Sequence, residues 1–213
     1  MGSGKYPLDA LGLVIPDGSW PPGREAPGDL ELVRRFCNSQ NVESGADVMR
    51  SPSELRAWLT REGFHRVGRP GAEDLERALT LRRALRAMVA ANHDATGVAQ
   101  ATGLFDRAIR GALGQIRLVH APHVFTDAGG VEQLVVRVAD IVMRAHLDGS
   151  WPRLKACGHC GWVVYDRSRN VSVAWCSPLA CGTRMKARAW RARQKAKESE
   201  SDQSRSGDHL TQS

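Results

Sequence analysis

Acidic side chains almost vanish from one stretch of this chain: between residues 153 and 197, Asp166 stands alone against eleven lysines and arginines. Cysteine is nearly as scarce, five in all, and four of the five fall between residues 157 and 181. No apolar run approaches the roughly 20 residues that span a bilayer, so no membrane partner is expected. The N-terminus has one early lysine and a short run broken by Asp9, Pro16 and Asp17, which does not make a signal peptide. A cytoplasmic address is therefore expected, nucleoid-associated if the protein binds DNA. Internal repeats are absent. So are H-E-x-x-H, G-x-S-x-G and G-x-G-x-x-G, and GSGK at 2–5 is an incomplete phosphate loop with no strand before it. Catalysis is not expected.

What is present is unevenly placed. Residues 153–197 sum to +10, the tail 198–213 to −3, and residues 1–152 to zero, out of +7 for the whole chain. The basic pI of 9.6 thus belongs to one segment. A dense positive segment beside a neutral domain suits a polyanion, because neutralised phosphates release their counterions.

Residues 1–24 are rich in glycine and proline and read as a flexible lead-in. Helical periodicity then starts at Asp29, with Leu30, Val33, Phe36 and Cys37 on one face. SPSELRAWLTREG announces a helix start at Ser51, with Pro52 at its first position, Glu54 three residues after the serine, and Gly63 as its C-cap. A long helix is predicted over 72–95, a shorter one over 98–112, a short hairpin over 116–130, and a further helix from Val131 to Leu147. Gly149 to Pro152 makes a hinge, which puts a domain boundary near residue 150. The predicted organisation is lead-in 1–24, helical domain 25–150, cysteine-rich module 151–197 and a disordered tail 198–213. In fold class the chain is mainly α with a minor β component.

Cys157-x2-Cys160 and Cys176-x4-Cys181 can furnish four thiolates. A tetrahedron of four cysteines around zinc leaves no open position for water, so one structural Zn2+ is the expected cofactor. Two disulfides in an exported domain, free thiols and iron–sulfur ligation are the alternatives; a cytosolic address and the spacing favour zinc. Gly161 permits a tight knuckle. WVVYD (162–166) and VSVAW (171–175) alternate like two strands around the turn RSRN, where Asn170 tolerates a left-handed conformation. Ser177 and Pro178 are helix-start residues. The module reads as knuckle, β-hairpin, helix, and it is small enough that metal binding would be coupled to its folding. His159, inside the first pair, reads as a knuckle residue rather than a fifth ligand. His120 and His123 flank Pro122 inside the predicted hairpin and read as turn residues, with a second metal site as the alternative.

After the last cysteine, Arg184, Arg188, Arg191 and Lys195 fall at i, i+4, i+7 and i+11, one stripe along a helix. Lys186, Arg193 and Lys197 lie on another face, and Met185, Ala189, Ala192 and Ala196 form an apolar stripe. Arg167 and Arg169 in the hairpin turn can reach a polyanion too. Lysines would contact phosphates, and arginine forks can also read guanine edges in the major groove.

RLKAC (153–157), CGW (160–162), YDRSRN (165–170), WCS (175–177) and CGTRMKARAWRAR (181–193) together resemble the bacterial CGNR zinc-finger proteins, which pair such a finger with an N-terminal ABATE domain. In the signature itself, Thr183 replaces asparagine. Upstream, APGDLELVRRFCNS (26–39) and SPSELRAWLTREGF (51–64) look like the opening of the ABATE domain, with Cys37 and Ser39 in place of valine and threonine. The resemblance covers about residues 25–197. It implies a mainly helical N-terminal domain and a stress-linked transcription regulator.

The leading expectation is a zinc-containing DNA-binding regulator whose N-terminal domain senses a small-molecule effector or forms a homodimer. Asn38, Arg82 and Arg83 are the candidates to line an effector pocket. Two other classes compete. One is an RNA- or ribosome-associated protein that stacks bases on Trp162, Tyr165 and Trp175. The other is an interaction module docking its basic helix on acidic partners of the transcription machinery.

Overall fold

The computed structural model describes residues 23–112 and 129–208, so the hairpin expected from residue 116, with His120 and His123, lies outside the described residues. So does all but the end of the lead-in. Two compact units divide the chain, Met1–Cys176 and Ser177–Ser213.

Among the described residues the first unit holds five α-helices: α1 Leu30–Asn38, α2 Pro52–Arg61, α3 Ala72–Asp94, α4 Val98–Ile109 and α5 Gly130–Leu147. Each lies where apolar periodicity predicted it, and their starts have local causes. The Ser51 Oγ accepts the Glu54 N–H at 3.3 Å. Glu54 reaches back one residue further than a reciprocal capping box, accepting the N–H of Arg50 at 2.8 Å and the Arg50 guanidinium. The N–H of Gly71, ahead of α3, donates to Asp74 Oδ2 at 2.8 Å. Gly63, at φ 79°, supplies the left-handed step that ends α2.

Helix α3 is the axis of the unit. Leu81, Leu85 and Val89 are fully buried along it, and α1 and α5, which pack against it, bring Val33, Phe36, Leu134, Val135 and Val138 into the same core. Trp58 of α2 plugs one end, its ring 5.1 Å from Phe36 and 6.4 Å from Phe64. Burial of this aliphatic and aromatic surface is the main stabilising term of the unit.

The sheet differs from expectation. Strand β1, Leu154–Ala156, pairs antiparallel with β2, Val163–Tyr165, with Ala156 opposite Val163 and Leu154 opposite Tyr165. VVY is thus a strand as predicted, but its partner is RLKAC, upstream, and VSVAW forms no strand. The reason is local. Residues 171–174 are held by single anchors, Val173 N–H to Asp166 Oδ2 at 2.8 Å and Gly158 N–H to the Ala174 carbonyl at 3.1 Å, which leaves no ladder to continue. The left-handed residue is Val171 (φ 49°), not Asn170. The hairpin loop is therefore the Cys157–Cys160 knuckle itself.

The outer edge of β2 is closed by side chain and loop rather than by a third strand. Asn38, buried at the end of α1, donates to the Val163 carbonyl and accepts the Val163 N–H, both at 2.8 Å. The next outward N–H, from Tyr165, goes to the Arg24 carbonyl at 2.9 Å. Three outward groups of the short strand, both of Val163 and the N–H of Tyr165, are thereby paired.

The second unit opens with a π-turn, Pro178–Gly182, capped by the Ser177 hydroxyl, which accepts the Ala180 N–H at 3.2 Å. Helix α6 then runs Thr183–Asp208, past Lys197 where the basic run ends; no proline or glycine interrupts it before Gly207.

Candidate metal centre and cationic helix

Two tight turns shape the knuckle. The Gly161 N–H returns to the Cys157 carbonyl at 2.9 Å, and the Cys157 N–H donates to the Trp162 carbonyl at 2.8 Å. Gly161 sits at φ 70°, a conformation that side chains resist. Gly158 is needed for a different reason: a Cβ there would lie 3.1 Å from the Trp175 ring.

These turns, the 166–174 loop and the Pro178–Gly182 turn bring the sulfurs of Cys157, Cys160, Cys176 and Cys181 within 4.8 Å of one another, all four buried. None is in a disulfide. The Cys160 and Cys176 sulfurs stand 3.6 Å apart, close to the edge of about 3.8 Å that a tetrahedron with Zn–S bonds near 2.3 Å requires. Hydrogen bonds among the sulfurs pull the Cys157 thiol far below the ordinary thiol range and push Cys176 far above it. A cluster that resists ionising together is one that needs a cation. Four buried soft donors at tetrahedral spacing fit zinc, which would supply a structural cross-link and no open coordination position. The fifth cysteine stays apart: burial pushes the Cys37 thiol up to about 11 despite Arg86 and Arg82 nearby, so it remains protonated.

Beside the knuckle, Asp166 organises the loop after β2. Its buried carboxylate accepts the Ser168 N–H and hydroxyl (2.8 and 2.6 Å) and the Val173 N–H (2.8 Å), and pairs with Lys155 at 3.4 Å. Burial opposes its charge, but the hydrogen bonds from Ser168 and Val173 and the Lys155 contact outweigh it, and the carboxyl lies below its ordinary range. Lys155 also donates to the Val171 carbonyl, and Arg153 donates to the carbonyls of Asp166 and Ser168 at 3.0 Å each. Two of the eleven cations thus serve the loop.

The candidate nucleic-acid residues are placed as follows. Arg184, Lys186, Arg188, Arg191, Arg193 and Lys195 are all exposed on α6, as is Lys197. Ala189, Ala192 and Ala196, the predicted apolar stripe, are exposed as well. Arg169 is exposed in the loop after β2. Arg167 lies over the Tyr165 ring at 5.7 Å and donates to the Glu25 carbonyl at 3.0 Å. Of the three rings suggested for stacking, Trp162 and Tyr165 are buried, and only Trp175 is partly open.

The three suggested pocket residues do different work. Asn38 is spent on Val163. Arg82 is buried, donating to Ser39 Oγ and Asp47 Oδ1 at 2.8 Å and to Asp47 Oδ2. Arg83, one residue on and about 100° round the helix, is exposed beside Glu76 and Thr80.

Sequence reasoning missed three residues. Asp166 was visible as the lone acid in a cationic segment. Arg86, which donates to the Cys37 and Gly161 carbonyls at 2.6 and 2.8 Å, was signalled by its place four residues after Arg82. Trp190, 56% exposed among the α6 cations, stood in plain view. At the signature, Thr183 Oγ1 donates to the Pro178 carbonyl at 3.4 Å, a short local bond within the helix start.

Among the described residues, no helix is long and apolar enough to cross a membrane. Comparison with curated proteins found no match. Two family models do match: residues 153–194 fit the CGNR zinc finger, and residues 30–147, more than half of the chain, fit ABATE, described as "Putative stress-induced transcription regulator". Both are regulatory or zinc-finger types rather than enzymes. The chain therefore belongs to the ABATE family and carries a CGNR zinc finger with one structural zinc ion.

Proposed function

We propose that the protein regulates transcription by binding DNA through α6, on a finger whose zinc is held by Cys157, Cys160, Cys176 and Cys181. Arg184, Lys186, Arg188, Arg191, Arg193 and Lys195 neutralise phosphates, and arginine forks among them read guanine edges. Arg167 and Arg169 are further phosphate contacts. The observation that supports this reading most is the exposure of every cation on α6 along a run, 183–197, that contains no acid. A helix so charged repels itself and gains from a polyanion. Fluorescence anisotropy with duplex DNA at rising salt tests it. Eight phosphate contacts give a slope of about −7 in log K against log salt. Zinc-loaded protein that binds no DNA at low salt would end the proposal.

Trp190 favours a second reading. An exposed indole among cations offers a stacking face to unpaired bases, and RNA that outcompetes duplex DNA while quenching tryptophan fluorescence would select it. For the helical domain, a cavity of about 220 Å³ lined by Met88, Asn92, Val98, His146 and Trp151 supports effector sensing. The exposed Met143 and Leu147, one turn apart on α5, support self-association. A thermal shift with small molecules separates the first from the second, which light scattering reads directly.

A further inference from the structure

Three arginines lie close together on α3, and two have carboxylates: Arg82 has Asp47, and Arg83 has Glu76. Arg86 has none among the described residues. Its half-buried guanidinium donates instead to backbone carbonyls, Cys37 at 2.6 Å and Gly161 at 2.8 Å, with Gln40 further off at 3.5 Å. Gly161 directly follows Cys160, and a Cβ there would stand 3.1 Å from the Arg86 Nη2. A buried cation satisfied only by neutral acceptors leaves its charge uncompensated.

The compensation is at hand in the sulfurs. Burial works against the Arg86 charge, and neighbouring Arg82 adds to that cost. Cys37 stays a thiol, and Asp47 is already bonded to Arg82. That leaves the cysteine shell, which Arg86 reaches through the carbonyl of Gly161, one residue after Cys160. Four thiolates around Zn2+ carry net negative charge in a buried place, and that charge also needs a partner. The other ionisable pair at the knuckle is His159 with Glu43, at 3.7 Å. Asn38, at the end of the same α1 whose Cys37 carbonyl Arg86 holds, clamps Val163 just beyond.

Taking the zinc reading as given, we propose that Arg86 is the built-in counter-charge and brace of the zinc centre, so that α3 helps set zinc affinity and zinc loss loosens the α1–β2 contact. Arg86 acts through Gly161 and Cys160 and is a positioning residue.

The test uses the full, zinc-loaded chain and follows zinc release to a chromophoric chelator. Arg86→Gln, which removes the charge and keeps a donor, should release zinc about 10- to 100-fold faster, the usual effect of losing a partner of a metal ligand. Arg86→Lys, which restores the charge, should recover at least half of that loss on a logarithmic scale. A folded Arg86→Gln protein that holds zinc like wild type overturns the proposal, as does Arg86→Lys doing no better than Arg86→Gln. If Arg86→Gln does not fold, Arg86→Lys decides alone: release within about tenfold of wild type supports the proposal, and faster release overturns it. In wild type, chelating the zinc should lower hydrogen-exchange protection at Val163 and across residues 36–41; unchanged protection there sinks the coupling. A wild-type chain that binds no zinc at all would instead remove the zinc reading, a distinct result that takes this proposal with it.

Discussion

Residues 153–175 and residues 183–197 are both cationic, and the two segments use their charge in opposite ways. In the first, Arg153 and Lys155 turn inward to the loop around Asp166, and Arg167 lies over Tyr165. In the second, every lysine and arginine is exposed. A net charge read along a chain therefore counts two different things, internal struts and available surface. What separates them is the single acid. Where a carboxylate is buried with three hydrogen bonds, Lys155 turns in to pair with it and Arg153 braces the same loop; where none exists, the cations face solvent.

The largest effect should come from removing that acid. Asp166→Ala leaves the Ser168 and Val173 N–H groups without their acceptor and the Lys155 ammonium without its carboxylate, and should destabilise the first unit by about 4 kcal/mol in denaturant unfolding. The sign of the pH dependence follows from the depressed carboxyl. The unfolded chain binds this proton more readily than the native one, so the stabilisation is complete above the ordinary carboxylate range and is lost as pH falls through the lower native value. The gap between wild type and Asp166→Asn should accordingly be flat from pH 6 to 8. A gap that grows across that window would mean another group carries the effect.

Asn38→Ala sharpens the comparison from the helical side. It deletes both bonds to Val163 and leaves a buried N–H and C=O unpaired, which should cost about 2–3 kcal/mol. Amide exchange at Val163 should rise with it. Unchanged stability would show that β1 alone holds β2 in place.

How far the sequence led depends on the range of the interactions. Helix starts were legible because their causes are adjacent: Ser51, Pro52 and Glu54 lie within four residues. The cysteine cluster was legible because thiolate spacing is a direct demand of metal geometry. The partner of β2 was not. VSVAW alternates as well as RLKAC does, and the choice between them is made by the Cys157–Cys160 turn, by Asp166 drawing the Val173 N–H away, and by Asn38 closing the far edge from 125 residues distant. Asn38 and Arg82 looked like pocket residues for a related reason. A polar side chain on an inward helical face signals that a partner exists, without saying whether that partner is a ligand or the chain's own backbone.

The smallest effect on stability should fall in the cationic helix, where it also separates structure from binding most cleanly. Arg191→Gln removes an exposed guanidinium, so unfolding should change by less than about 0.5 kcal/mol. DNA affinity, measured by anisotropy, should still fall several-fold, with the salt slope reduced by about one. The opposite outcome, lost stability with unchanged DNA binding, would place Arg191 with Lys155 among the struts and erase the contrast between the two segments. An unchanged slope with weaker binding would point elsewhere, to a contact with a base rather than a phosphate, since only phosphate contacts release counterions.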